Sequence, residues 1–318
     1  MRPRLRDTAI HDSATVEKVE RLLEILSEID RDSFLRERLV LHGGTALNLF
    51  GQAMPRLSVD IDLLYAGSPD REVMVVERPA TEEGIRRIAR AFRYQVGTVR
   101  AEVDEHAGRT FRLSYRSDAG PNGQIKIDTI FLDRIPLLGA SEGVCVFGDP
   151  PVRFRCVQPS ELLARKVKAL VERRRPAVRD LFDVARWGDV ERPDEPLFRA
   201  LVTYFFALSR PFPTRLRRLC SDALGRFGDV DRAVQTDLVP MLAAGEAVDA
   251  DGLIARTAAF LDDWGELTAD HEEYLRRLDE ENRSSPELLF ADWPDVLARA
   301  GPDPVMKRKL DNLRGRAE

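Results

Sequence analysis

The chain has 318 residues, 43% of them apolar and 32% charged, with a formal net charge of −5. That balance describes a folded protein with ample core and a length suited to about two domains, and it excludes a generic nucleic-acid coat, which is basic overall. No stretch approaches the ~20 apolar residues of a membrane span, and Met1-Arg2-Pro3-Arg4-Leu5-Arg6 lacks the apolar run of a signal peptide, so a cytoplasmic protein with no membrane partner is expected.

In chain order, Val16, Val19, Leu22, Leu23, Leu26 and Ile29 recur at helical spacing and predict an amphipathic helix over about residues 13–30, packed on a sheet. Leu39 to His42 is a short strand feeding a Gly43-Gly44 turn; Thr45 to Phe50 is a helix that Gly51 stops. Ser58 to Tyr65 is the second strand. A polar loop and a helix from Glu82 to Arg93 follow, then strand-like runs at Tyr94 to Val103, Thr110 to Tyr115 and Gln124 to Leu132. Asp118 to Gly123 carries the Gly/Pro/Asn signal of a hairpin turn, and Val144 to Phe147 with Val152 to Val157 ends the mixed region.

From Pro159 the pattern turns helical: one helix to about Val171, a break at Pro176, and only helix-like periodicity over about 196–315, with breaks near Pro211-Phe212-Pro213, Gly228 and Gly252. The expected architecture is therefore α+β, with a mixed-sheet lobe over 1–158 and an all-helical lobe over 159–318. Cys145, Cys156 and Cys220 are odd in number and lack metal-ligand spacing, so they read as reduced thiols without a chemical role.

Two stretches carry chemistry. Gly43-Gly44-Thr45 opens a helix, where glycines let backbone approach a ligand and the amides of the first turn point at an anion. About thirteen residues on, Asp60 and Asp62 sit two apart in an apolar strand, so both carboxylates project to one face and can hold Mg²⁺ against a triphosphate. The alternatives are a turn with a Thr cap and a solvated strand face. Apolar flanks favour the metal, because two buried like charges repel unless a cation neutralises them. Lys126 and Asp128 share a face of another alternating strand, where a surface ion pair is the plain reading. Arg165, Lys166, Lys168, Arg173-Arg174-Arg175 and Arg179 form a locally basic stretch that is either a solvated helix face or a cationic groove for phosphates.

The blocks His42-Gly43-Gly44-Thr45-Ala46-Leu47-Asn48-Leu49-Phe50, Arg56-Leu57-Ser58-Val59-Asp60-Ile61-Asp62-Leu63, Gln124-Ile125-Lys126-Ile127-Asp128, Glu161-Leu162-Leu163-Ala164-Arg165-Lys166 and Arg179-Asp180-Leu181-Phe182-Asp183 together resemble the DNA polymerase beta-type nucleotidyltransferase superfamily. Within it they are most similar to the AbiEii/AbiGii toxin family, which includes the MenT-type toxins. The resemblance spans roughly residues 40–190, with the blocks in the family's order.

The resemblance implies a nucleotidyltransferase fold in which the helical lobe contributes its Lys and Asp to the active-site cleft. It implies transfer of a nucleoside monophosphate from an NTP to an acceptor hydroxyl with Mg²⁺, or Mn²⁺, as cofactor. The role it implies is that of a toxin in a toxin–antitoxin or phage-defence system, with the tRNA 3′ end as acceptor and a cognate antitoxin as partner. Gly43, Gly44, Thr45 and Ser58 would bind nucleotide, and Asp60 and Asp62 metal. Asp128 would complete the metal site or take the attacking hydroxyl's proton, with Asp133 in reserve. Lys166 would be the catalytic lysine and Asp180 its companion carboxylate, with Asp183 as the rival. Ser58 would also be a place where phosphorylation blocks the site by charge repulsion. His42 reads as structural. Two other readings stay open: the same chemistry on a small molecule or protein side chain, and a non-catalytic nucleotide-binding or interaction module.

Overall fold

A computed structural model describes residues 12–51, 56–97, 100–101, 107–118, 120–147, 150–173, 177–190, 194–209, 224–225, 228–264 and 267–315. The chain forms two compact units: Met1–Gln158 with Pro240–Glu246, and Pro159–Val239 with Ala247–Glu318.

The first unit is built on one mixed sheet. Its strands are β1 (Leu39–His42), β2 (Asp60–Tyr65), β3 (Gln95–Val96), β4 (Arg100–Ala101), β5 (Gly108–Tyr115), β6 (Gly123–Ile130), β7 (Ala140–Cys145) and β8 (Val152–Val157). The order across the sheet is β3-β5-β6-β2-β1-β8-β7, with β4 also pairing β5. β2 runs antiparallel to β1 and parallel to β6; β6 runs antiparallel to β5. Alternation divides the faces. Ile61, Leu63, Phe111, Leu113, Ile125 and Ile127 are fully buried or nearly so, whereas Asp60, Asp62, Thr110, Lys126 and Asp128 are only partly covered.

Helix α1 (Ser13–Arg31) buries Val16, Val19, Leu22, Leu23, Leu26 and Ile29 as the periodicity predicts, and packs against β6 and β8. Asp12 caps it, accepting from the Thr15 amide at 2.9 Å. Asp32 ends α1 and caps α2 (Ser33–Arg38) by accepting from the Leu35 amide at 3.0 Å.

Some boundaries differ from the expectation. The helix expected to start at Glu82 runs over Arg71–Ala91 (α4) and carries Pro79 inside it. An interior proline costs about 3 kcal/mol. It is offset by the Asp70 cap, which accepts from the Glu72 and Val73 amides, and by Met74, which packs on Tyr65 and Phe131. Arg38 adds a two-pronged grip on Glu77, at 2.8 and 2.7 Å. Of the strand expected over Tyr94 to Val103, the described residues form the two short pairings β3 and β4 at the edge of β5; Val103 lies outside the described residues. β2 starts at Asp60, so Ser58 precedes the strand.

The second unit is helical throughout its described residues. Its core helix α7 (Glu195–Ala207) is buried along every residue from Ala200 to Ala207, the pattern of a helix surrounded on all sides. α5 (Pro159–Glu172) packs on α7 and on α6 (Val178–Val190); the helix Ala250–Trp264 packs on α6. Gly252 lies inside that last helix and does not break it. Arg174, Arg175, Pro176 and Pro211-Phe212-Pro213 lie outside the described residues. No helix among the described residues is long and apolar enough to cross a membrane.

Candidate active site

The sheet register gathers the carboxylates of the first unit. β2 and β6 run side by side, setting Asp60 beside Lys126 and Asp62 beside Asp128; on the far side of β6, Thr110 faces Asp128. All these side chains project to the less covered face, because each stands an even number of residues from its strand neighbour in the set. On its other flank Asp62 pairs with His42, the last residue of β1.

The chain leaves β1 through a turn that the carboxylates shape. Gly43 has φ +71°, a left-handed conformation that favours glycine, and a Cβ there would overlap the Asp62 carboxylate, coming within 2.9 Å of its Cγ. Gly43–Thr45 (α3) begins the helix and Ala46–Phe50 continues it as a π-turn, closed by the Gly51 amide donating to the Ala46 carbonyl at 2.8 Å. Such π-turns recur beside functional sites.

Thr45 and Ser58 are both buried, at 0% and 5% exposure. Their hydroxyls are hydrogen-bonded at 2.9 Å, and Thr45 also donates to the Asp60 carbonyl. The Thr45 hydroxyl, expected to hold phosphate, ties the start of the helix to the start of β2. Ser58, expected on the strand face with Asp60, holds the other end of this tie.

Asp128 is held by two partners. Lys126 ion-pairs with one carboxylate oxygen, and the Thr110 hydroxyl donates to the other at 2.6 Å. Burial pulls the Lys126 ammonium down, but the hydrogen bond and charge of Asp128, reinforced by the charges of Asp60 and Asp62, leave it raised above the ordinary lysine value. Among the described residues no group of three or more His, Cys, Asp or Glu is arranged to hold a metal ion. Lys126 and Thr110 engage both oxygens of Asp128. Asp60 and Asp62 project from one face of β2, and two carboxylates fit Mg²⁺, which commonly takes one or two from protein and the rest of its octahedron from substrate phosphates and water. Asp133 lies three residues beyond the end of β6, off the strand that carries Asp128.

The second unit holds the other expected residues. Lys166 on α5 ion-pairs with both Asp180 and Asp183 on α6, at 2.6 and 3.1 Å. The two aspartates stand three apart and so share one helix face; the structure joins both to the lysine and does not choose between them. Arg173, just past α5, also pairs with Asp180. The Asp180 and Asp183 side chains are 5% and 0% exposed and that of Lys166 13%, so this is a buried cluster. Glu161 is paired likewise with Arg165, at 2.8 Å, and the Arg165 guanidinium stacks 4.6 Å over Phe205. Arg165 therefore serves this unit's core rather than the basic face expected of it. Thr110 and the double use of Asp180 and Asp183 are the features that sequence reasoning missed.

A family model described as the nucleotidyl transferase AbiEii toxin of a type IV toxin–antitoxin system matches residues 24–299. Among solved structures the chain is similar to MenT4, a nucleotidyltransferase toxin of Mycobacterium tuberculosis, with TM-score 0.59 and 17% identity over 90% of this chain and 92% of that one. It is also similar to JHP933 of Helicobacter pylori, with TM-score 0.46 and 15% identity over 85% of this chain and 97% of that one. No curated protein sequence matches it.

Proposed function

The chain belongs to the AbiEii nucleotidyl transferase toxin family, and from that premise we propose that it is a Mg²⁺-dependent toxin that transfers a nucleoside monophosphate from an NTP to the 3′-terminal hydroxyl of tRNA. The observation that carries the reading is the pair Asp60 and Asp62 on one sheet face, with Gly43 left bare of a side chain where Asp62 packs against it. tRNA as acceptor rests on the family resemblance.

In this reaction the acceptor oxygen attacks the α-phosphorus, the bond from that phosphorus to the bridging oxygen breaks, and pyrophosphate leaves with the electron pair. Asp128, the neighbouring carboxylate, takes the proton of the attacking hydroxyl. Asp60 and Asp62 would hold the divalent ion, which when bound neutralises charge on the triphosphate. The backbone of Gly43 to Thr45 meets phosphate oxygens. Lys166, steadied by Asp180 and Asp183, is assigned to the charge that develops toward pyrophosphate. That assignment again rests on the family resemblance.

The test is incubation with each of four α-labelled NTPs, Mg²⁺ and total tRNA, intact or oxidised at the terminal ribose with periodate. Label is expected in intact tRNA and absent from oxidised tRNA. Label in protein or in small metabolites instead would replace tRNA by the second acceptor class, and triphosphate binding without turnover for any acceptor would favour a binding module.

A further inference from the structure

Lys126 has no part in the proposed transfer, yet it stands at the centre of the acidic face. It lies beside Asp60 in the sheet register, is paired with Asp128 on its own strand, and feels the charges of Asp60 and Asp62. Three carboxylates and one ammonium leave two formal negative charges, the charge that one divalent ion neutralises. The ammonium also fixes where Asp128 points: together with the Thr110 hydroxyl it engages both carboxylate oxygens.

We propose that Lys126 is a positioning residue that withholds Asp128 from the metal and keeps the site a two-carboxylate site. A divalent ion held by only Asp60 and Asp62 has most of its coordination shell unfilled by protein, and triphosphate oxygens are the ligands that fill it. Free metal then binds weakly, and metal with nucleotide binds well. The arrangement couples the two ligands. This inference rests on the proposed metal role of Asp60 and Asp62.

Calorimetric titration of the full chain with Mn²⁺, in the absence of nucleotide, reads the effect without reference to turnover. Lys126→Gln is expected to bind Mn²⁺ about tenfold more tightly, the order expected when a unit positive charge is removed beside a divalent ion under water-like screening. Lys126→Arg keeps the charge and is expected to match the parent. Thr110→Val removes the other holder of Asp128 without changing any charge; it should shift affinity in the same direction by a smaller factor, and it serves as the test if Lys126→Gln does not fold. Unchanged or weaker Mn²⁺ binding in folded Lys126→Gln, or in Thr110→Val in its place, overturns the assignment. Asp60→Asn separates this result from the reading beneath it. If Asp60→Asn binds Mn²⁺ like the parent, the metal site itself is misplaced; if it loses the ion while Lys126→Gln is unchanged, only the role of Lys126 falls.

Discussion

The Asp62 carboxylate occupies the space that any side chain at residue 43 would need. Gly43→Ala should therefore act twice. A left-handed backbone costs alanine about 1–2 kcal/mol, and the new methyl group must push Asp62 aside. A modest loss of stability with a disproportionate loss of transfer is expected. Urea denaturation beside a transfer assay checks it; full activity in a destabilised protein would show that the position of Asp62 is immaterial.

Asp60→Ala and Asp62→Ala are each expected to lower transfer by at least about a hundredfold, the scale of losing a Lewis acid, with melting temperature unchanged or raised. Each removes a charge from a crowded acidic face while Lys126 stays in place. Turnover equal to the parent in either purified variant would remove these residues from the reaction.

Thr45→Val keeps shape and deletes the hydroxyl that joins Ser58 and the Asp60 carbonyl. Leaving buried polar groups unpaired costs about 1–3 kcal/mol, so a loss of that order in denaturation is expected, with Thr45→Ser near the parent. Nucleotide affinity measured on the same proteins decides the role. If Thr45→Val is as stable as the parent but binds triphosphate poorly, the hydroxyl belongs to the ligand after all.

The ion-paired setting of Lys166 changes what its removal means. Lys166→Ala takes the ammonium from two buried carboxylates, leaving Asp180 with Arg173. Breaking a buried cluster from one side costs up to roughly 3–5 kcal/mol, so the variant should be clearly destabilised whatever its catalytic part. Lys166→Met combined with Asp180→Asn and Asp183→Asn should recover most of that stability. Comparing the single and triple variants by thermal melting, with single-turnover transfer measured on whichever folds, separates charge balance from chemistry.

Asp-x-Asp on one face was legible because strand alternation alone dictates it. Gly-Gly-Thr was legible as a turn, but not the inward direction of the Thr45 hydroxyl, which depends on Ser58 arriving thirteen residues later. Thr110 could not be singled out: its relation to Asp128 exists only through the β5–β6 register, and threonine is ordinary in strands. The joint use of Asp180 and Asp183 was readable in principle from their spacing of three on a helix. The early start of α4 was hidden by Pro79, which marks a break unless the Asp70 cap and the Arg38–Glu77 pair outweigh it.

That pair also gives a pH dependence. Two hydrogen bonds from Arg38 hold the Glu77 carboxyl below its ordinary value of 4.5 against the opposing effect of burial, and the Tyr65 hydroxyl helps. A folded value below the unfolded one means the contribution is complete above the unfolded value and is lost as pH falls through the folded one. Glu77→Gln should lower the urea midpoint at pH 7, and the gap to the parent should close below about pH 4. A gap constant with pH would mean that the carboxylate's charge does not matter there.

The first unit takes back Pro240–Glu246 from far along the chain, and the Met241 carbonyl accepts the Leu57 amide at 2.7 Å, one residue before Ser58. A gene cut after codon 158 would therefore deliver a sheet without the brace on the strand that carries both aspartates. The first unit is not a detachable cassette: shuffling or truncation during evolution would have to preserve a loop encoded some eighty residues downstream, so the two units are expected to be inherited together even where their surfaces diverge.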